Sequence, residues 1–391
     1  MEYPPFANEP LSDFSDPARR ATFAHTLARV DAELGPTWSR SMLIGGEKVE
    51  TGAWLESHDP TTPSRVVGRV ATATPELADA AVAAAAKAFT TWSRVPVAER
   101  AALVAKVSAI IRDRRDEFSA TMVVEAGKTW GEADADAAEA VDFCELYLRD
   151  AIRLSGPQPV SHRPGTRNRF IYMPMGIGVI IPPWNFPLAI TVGMTMSAVV
   201  TGNVAIVKPS SLTPIIAAKF IDACLEAGIP DGVVNFLPGP GEQVGMRLVE
   251  HPGVRFISFT GSREVGEKIF ARAAVVQPGQ RWLKRVVSEM GGKNAIVVDE
   301  TADLDAAARA AVASAFGFGG QKCSACSRLV AVDAIYDDLV ARVEAEARTI
   351  RIGDPRDPDT HLGPLSSADQ KRTAERYAAI GQAEGTVIVG P

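Results

Sequence analysis

The chain has 391 residues, 46% of them hydrophobic, enough apolar surface to bury a large core divided over two or more domains and too much for a disordered chain. A formal charge of -6 and an isoelectric point near 5.6 leave no basic stripe to displace counterions from a nucleic acid, so small-molecule chemistry fits better than a polyanion partner. Four cysteines without framework spacing suit a reducing cytoplasm, and the start Met1-Glu2-Tyr3-Pro4-Pro5 has neither the basic residues nor the apolar core of an export signal.

In chain order, Asp16 before Pro17 predicts a helix start, with the helix running to about residue 34, and residues 41–58 predict short strands around the Gly45-Gly46 turn. Thr74, with Pro75 at the first helical position, predicts an alanine-rich helix to about residue 93, and further helices are expected over 97–115, 116–126 and 129–154. Between 155 and 175 the pattern changes to prolines, a glycine, basic residues and the alternating run Arg169-Phe170-Ile171-Tyr172, which predicts an excursion carrying a hairpin.

From Gly176 onward strand and helix alternate, with strands predicted at 178–181, 204–207, 233–237 and 256–260 and helices at 188–200, 213–227 and 264–272. Apolar strands without alternation, separated by amphipathic helices, indicate a parallel sheet covered on both faces, the usual frame of a nucleotide site. Residues 170–207 carry no charge and are long enough to span a bilayer, but prolines at 174, 182, 183 and 187 and the pair Gly202-Asn203 cut them into strand, turn, helix and strand, so a buried core is the reading. A second α/β block is expected from about Val286, with strands at 286–287 and 295–298 and helices at 304–316 and 335–350. The final run Val387-Ile388-Val389-Gly390-Pro391 reads as a strand entering a turn, an unusual place for a domain to stop.

The segment Gly319-Gly320-Gln321-Lys322-Cys323-Ser324-Ala325 leaves a thiol sterically open, and Glu289, in Glu289-Met290-Gly291-Gly292-Lys293-Asn294, is a separate carboxylate able to activate water. Together they suit a covalent thioester that is made and then hydrolysed. A free thiol ionises near pH ~8.5, so Cys323 needs help from backbone dipoles or from Lys322. Cys323 and Cys326 form a C-x-x-C, but no second pair and no nearby histidine completes a zinc ligand set, and no metal is expected. Cys144 and Cys224 read as small buried hydrophobes.

The loop Pro182-Pro183-Trp184-Asn185-Phe186-Pro187 leaves a strand end and enters a helix, where ligands dock in open α/β sheets. Asn185 is either a preorganised oxyanion donor, worth about 3 kcal/mol in a transition state, or part of a rigid corner. Thr260-Gly261-Ser262-Arg263-Glu264-Val265-Gly266 starts another helix in a way that suits a phosphate, although it is not G-x-G-x-x-G. Lys208 at a third strand end could meet phosphate or ribose, or simply be solvated.

With PPWNFP, KPS, FTGSREVG, EMGGKN and GQKCSA in this order, the chain resembles the aldehyde dehydrogenase superfamily from about Leu43 to its end. Ala7 to Phe14, the stretch Glu132-Ala133-Asp134-Ala135-Asp136, and Lys322 and Ser324 around the thiol narrow the resemblance to the bacterial Δ1-pyrroline-5-carboxylate (L-glutamate γ-semialdehyde) dehydrogenases.

The resemblance implies an α/β fold with a Rossmann-like cofactor domain over 1–154 and 174–286, an oligomerisation hairpin over 155–173 and a catalytic thiol domain over 287–391. It implies Cys323 as nucleophile, Glu289 as base and Asn185, with the Cys323 N–H, as oxyanion donors. Ile181, Pro183, Trp184, Lys208, Ser211, Gly261, Ser262 and Gly291 would meet the cofactor, and Lys322, Ser324 and, on the preceding helix, Glu139 the substrate.

NAD is the expected cofactor, with some NADP use, because Ser211 stands where many NAD-specific relatives carry a glutamate that repels a 2′-phosphate. A small aldehyde is the expected partner, with no nucleic acid and no membrane, in a homo-oligomer when full length. The family's E-x-F-G-P segment and final strand have no counterpart here, so the thiol domain is expected to be incomplete at its C-terminus, and an inactive relative stays open beside a dehydrogenase for another aldehyde. A CoA-acylating relative is disfavoured by Glu289, since that class dispenses with the water-activating carboxylate.

Overall fold

The computed structural model describes residues 3–388. Its centre is a seven-stranded sheet in the order Arg285–Glu289, Val254–Thr260, Ile177–Ile181, Val204–Val207, Val234–Phe236, Met42–Ile44 and Glu47–Val49. The first five strands are parallel, and the last two join antiparallel at the far edge. The chain lays down 177–181, 204–207 and 234–236 in one direction, then crosses to the other side of the first strand for 254–260. That reversal opens a crevice between the carboxyl ends of Ile177–Ile181 and Val254–Thr260, the position where open α/β sheets bind ligands.

The continuous apolar runs foreseen for this sheet are buried on both faces: Val179, Ile180 and every residue of Val204–Val207 are fully covered. Gly178 has a packing reason, because a Cβ there would lie 2.2 Å from the Phe256 ring on the adjacent strand. Helices Pro75–Trp92, Val97–Asp113, Arg115–Ala126, Trp130–Ser155, Ala189–Val200 and Pro214–Glu226 pack around it in one continuous core. A small sheet of Ser39–Arg40, Val66–Ala71 and Trp54–His58 lies beside them.

A second block pairs Asn294–Val298 with Cys326–Ala331 in a two-stranded parallel sheet, covered by Leu304–Phe316 and Tyr336–Ala347. Its buried cluster is small, built on Val298, Ala308 and Leu339, while Val297 and Val330 on the sheet are exposed.

Several expectations are corrected. The strand that carries Glu289 belongs to the large sheet, so a division at 286/287 cuts through it, and the passage between sheets falls at 290–293. Residues 156–176 turn at Gly165 (φ 75°) and Asn168 reaches the Ser161 carbonyl at 2.6 Å, but no strand forms and the expected hairpin has no ladder. Among the described residues no strand pairs with Phe170, Ile171, Tyr172 and Met173, all of them exposed, and an isolated two-stranded ribbon is marginal in water. Val387 and Ile388 follow helix Ala368–Glu384 without forming a strand, and the rest of that predicted strand lies outside the described residues. Strands Val66–Ala71 and Cys326–Ala331 and helices Met246–Glu250 and Ala368–Glu384 were not foreseen. No described helix is long and apolar enough to cross a membrane.

Candidate active site

A cavity of about 300 Å³ opens at the crevice of the large sheet. Pro183, Trp184 and Asn185 line it from the loop after Ile177–Ile181, Gly261 and Ser262 from the loop after Val254–Thr260, Gly291 from the passage between sheets, and Lys322 and Cys323 from the thiol loop. Four loops separated by up to 140 positions thus converge because three follow carboxyl ends of adjacent parallel strands and the fourth is carried by the second block.

Asn185 Nδ2 donates to the Gln321 carbonyl at 2.7 Å. An amide NH₂ has two hydrogens, so one fixes the side chain to the thiol loop and the other stays available to a ligand. Gln321 is itself braced: its Nε2 donates to the Phe318 carbonyl at 3.0 Å, and its Oε1 accepts from Ser366 N and Oγ, both at 3.0 Å. Cys323 is exposed and its carbonyl accepts from Asn294 Nδ2 at 2.8 Å, while among the described residues no acceptor takes its N–H. Gly292 permits that approach, since a Cβ there would sit 2.7 Å from the Cys323 carbonyl oxygen. Cys144 and Cys224 are buried, and burial pushes both thiols up, which leaves Cys323 and the half-buried Cys326 as the thiols open to solvent.

Glu289 ends the edge strand in register with Thr260, and its carbonyl accepts from Gly261 N at 3.0 Å. Its side chain is exposed and is not part of the cavity lining, although its successors Met290 and Gly291 are. The structure therefore brings Glu289 to the rim rather than to the thiol.

Lys322 lies in the lining, but its ammonium and the Glu132 carboxylate converge on Gly317: a Cβ added there would be 3.0 Å from Lys322 Nζ and 3.7 Å from Glu132 Oε1. Ser324 is exposed outside the lining. Glu139 is half-buried, and burial together with neighbouring Asp136 raises its carboxyl above the usual range, so it is not the solvated side chain common on helices. It too lies outside the cavity lining.

Lys208 is 6% exposed. Its Nζ donates to the Pro209 carbonyl at 3.0 Å, burial draws its pKa down to about 8, and among the described residues no carboxylate pairs with it. A buried ammonium with spare donors, one strand from the crevice, fits the ribose hydroxyls or phosphates of a dinucleotide. Ser262 caps helix Arg263–Ala274 by accepting from Val265 N at 3.4 Å, so this helix start keeps backbone donors near the cavity. Ile181 pairs with Phe259 in the sheet and falls outside the lining. Ser211 is not brought to Gly261 and Ser262; it lines a separate cavity of about 640 Å³ with His58, Pro364 and Lys371. Sequence reasoning missed Gln321 and Gln370 of this site. Gln370 reaches the lining from helix Ala368–Glu384, whose weakly apolar sequence gave no sign of it.

An exposed thiol beside an anchored amide, at the crossover of a parallel sheet, is the arrangement of a thiol-dependent oxidoreductase. The Aldehyde dehydrogenase family pattern matches residues 48–391, and the chain belongs to that family. It is 50% identical over 386 residues to 1-pyrroline-5-carboxylate dehydrogenase of Geobacillus thermodenitrificans, covering 99% of this chain and 75% of that protein. A crystal structure of 1-pyrroline-5-carboxylate dehydrogenase from Thermus with bound NAD superposes with a TM-score of 0.96 at 47% identity, over 100% of this chain and 75% of that one. A lactaldehyde dehydrogenase structure is more distant, with a TM-score of 0.84 and 34% identity over 91% of this chain and 74% of that one.

Proposed function

We propose that the chain is an NAD-dependent dehydrogenase that oxidises L-glutamate γ-semialdehyde, in equilibrium with Δ1-pyrroline-5-carboxylate, to L-glutamate in proline and arginine breakdown. The observation that carries this reading is the placement of Asn185 and Cys323 on one cavity, with half of the Asn185 amide committed to Gln321 and half free. The likeness to proteins named 1-pyrroline-5-carboxylate dehydrogenase across nearly the whole chain supports the substrate.

In this mechanism the Cys323 thiolate attacks the aldehyde carbon and a C–S bond forms. The carbonyl oxygen takes the negative charge, held by the free Asn185 N–H and the Cys323 N–H, donors that need no reorganisation. NAD, when bound, supplies the hydride acceptor at C4 of its nicotinamide. Collapse of the tetrahedral adduct expels hydride and leaves a thioester on Cys323. Glu289 removes a proton from water, the hydroxide attacks the thioester, and the C–S bond breaks with the thiolate as leaving group. For Glu289 this requires its side chain to swing inward from the rim.

Pro183, Trp184, Gly261, Ser262 and Gly291 would hold the cofactor from the lining and Lys208 from the next strand end, with Ile181 backing the loop. Ser211, facing another cavity, leaves a 2′-phosphate unopposed, so NADP is used less well rather than rejected. Lys322 and Ser324 anchor the substrate carboxylate and Glu139 its ammonium. The exposed row at 170–173 supports subunit association through the 155–173 excursion, with the cofactor and thiol units to either side, in a cytoplasmic homo-oligomer.

Cys323→Ser is expected to abolish NADH formation while NAD binding survives, and Glu289→Gln to give one burst of NADH and then stall. Unchanged steady-state turnover in the glutamine variant removes Glu289 as the base. Similarity to an enzyme of lactaldehyde keeps a second small aldehyde in view. Lys322→Ala should raise KM for the semialdehyde far more than for a neutral aldehyde, and equal effects on both favour that second substrate.

A further inference from the structure

Lys128 and Asp136 lie outside the cavity, are 1% and 0% exposed, and form an ion pair at 2.7 Å. Removing two charges from water is costly, and such a pair contributes little net stability, so its placement asks for another reason. Both partners touch the segment that follows Asn185, and Lys128 also reaches the thiol loop. The second carboxylate oxygen of Asp136 accepts from Ala189 N at 2.7 Å, at the first turn of the helix that follows Asn185. That helix has no side-chain cap of its own. The Lys128 ammonium sits 4.2 Å from the centre of the Phe186 ring, next to Asn185, and 5.0 Å from the centre of the Phe318 ring on the thiol loop.

Phe318 is an independent sign of constraint. Among the described residues it alone, apart from glycines, has a positive φ, 53°, and with Gly319 (64°) and Gly320 (68°) it makes three consecutive left-handed residues leading to Cys323. A bulky side chain in that region is strained and persists where its surroundings over-determine it; here Phe318 is 2% exposed under the Lys128 ammonium. The Phe318 carbonyl in turn receives Gln321 Nε2, and the Gln321 carbonyl receives Asn185.

Resting on the reading of Cys323 and Asn185 as nucleophile and oxyanion donor, we infer that the buried Lys128–Asp136 pair is a positioning element that clamps the Asn185 loop to the Cys323 loop and sets the distance between thiol and amide. Asp136 fixes the amide's helix; Lys128 fills the gap between Phe186 and Phe318. A displacement of about 1 Å at a reacting centre costs on the order of a hundredfold in rate, so a clamp of this kind acts on kcat rather than on cofactor affinity.

Lys128→Met removes the cation at similar length. Lys128→Met with Asp136→Asn removes both charges, keeps an acceptor for Ala189 N–H and avoids a lone buried carboxylate, so it supplies a folded variant if the single one unfolds. Lys128→Arg keeps the charge. Amide hydrogen exchange in the full chain should rise at least tenfold in 184–190 and 317–323 together for both methionine variants, with 204–207 unchanged. Turnover with NAD and the semialdehyde should fall about a hundredfold in kcat with the NAD Kd within threefold, and Lys128→Arg should recover at least tenfold of the loss. Exchange that rises in one loop only, in neither, or equally throughout the sheet overturns the clamp, as does a kcat in the double variant within threefold of the parent. Should the parent chain make no NADH, the proposed function fails, and the exchange measurement still decides the clamp.

Discussion

Two helices beside the ligand-binding loops of the large sheet and two helices of the second block begin in different ways. In the second block two helices rely on neighbouring residues: Asp303 accepts from Asp305 N and Ala306 N to start Leu304–Phe316, and Ser367 accepts from Gln370 N to start Ala368–Glu384. The two helices that follow the PPWNFP and KPS loops lack such caps. They borrow buried carboxylates from the helical layer, Asp136 for Ala189–Val200 and Glu125 for Pro214–Glu226, where Glu125 accepts from Ile215 N at 2.7 Å and Ile216 N at 2.8 Å. A cap supplied from elsewhere forms only when the whole block closes, so the ligand-binding loops are fixed by the global fold. The second block, with its small cluster at Val298, Ala308 and Leu339, starts these two helices with local caps.

The difference can be broken most forcefully at the centre of the sheet. Ile206→Ala should cost about 4 kcal/mol in urea unfolding, because Ile206 is fully buried and a cavity is left behind. Val297→Ala, on a side chain 75% exposed in the second sheet, should change stability by less than ~0.5 kcal/mol. Comparable losses at the two positions would mean that the blocks are supported alike.

Glu125 sharpens the contrast through pH. Burial pushes its carboxyl up from 4.5 to about 7, against the opposing pull of the two backbone N–H groups and of Ser57 Oγ, which donates at 2.8 Å. Its folded pKa lies above its unfolded one, so its contribution is fully present below about pH 4.5 and is lost as pH rises through about 7. Stability measured between those limits should therefore carry a downward slope with rising pH that Glu125→Gln removes, since a glutamine keeps an acceptor and cannot ionise. An unaltered slope in that variant assigns it to other groups. Glu125→Ala strands two N–H groups and should cost about 2–3 kcal/mol at pH 5.

The smallest effects belong to the local caps. Asp303→Ala and Ser367→Ala should each cost about 1 kcal/mol and raise hydrogen exchange only in the first turn of their own helices. A spread of that exchange into the large sheet would show that the second block is not locally held.

Much of the site was legible because its chemistry is written in short segments. The loops carrying Asn185 and Gly261 stand at the ends of strands that apolar runs announce, and the loop carrying Cys323 is announced by its own glycine-rich approach. The hairpin expected over 155–173 forms no ladder because alternation describes a strand only when a partner lies alongside, and among the described residues none pairs with Phe170 to Met173. Glu289 was assigned to the wrong sheet, since five residues of strand do not say which edge they join. Gln370, Phe318 and Lys128 were unreadable: Gln370 stands 47 or more positions from the other lining residues, and Lys128 and Phe318 are 190 positions apart.

Sequence alone determined the self-contained parts: helices opened by Asp16, Thr74, Ser262 and Asp303, whose capping bonds span no more than three residues, and the apolar strands whose burial follows from having no polar face. Tertiary structure decided what depends on distant groups meeting in a water-poor interior: the crossover crevice, the grip of Gln321 on Asn185, and the carboxylates of Glu125 and Asp136 at helix starts they do not adjoin. Local bonds need only the neighbouring residues to be ordered, whereas these contacts require the entropy of closing long loops to be met first by burial of the core.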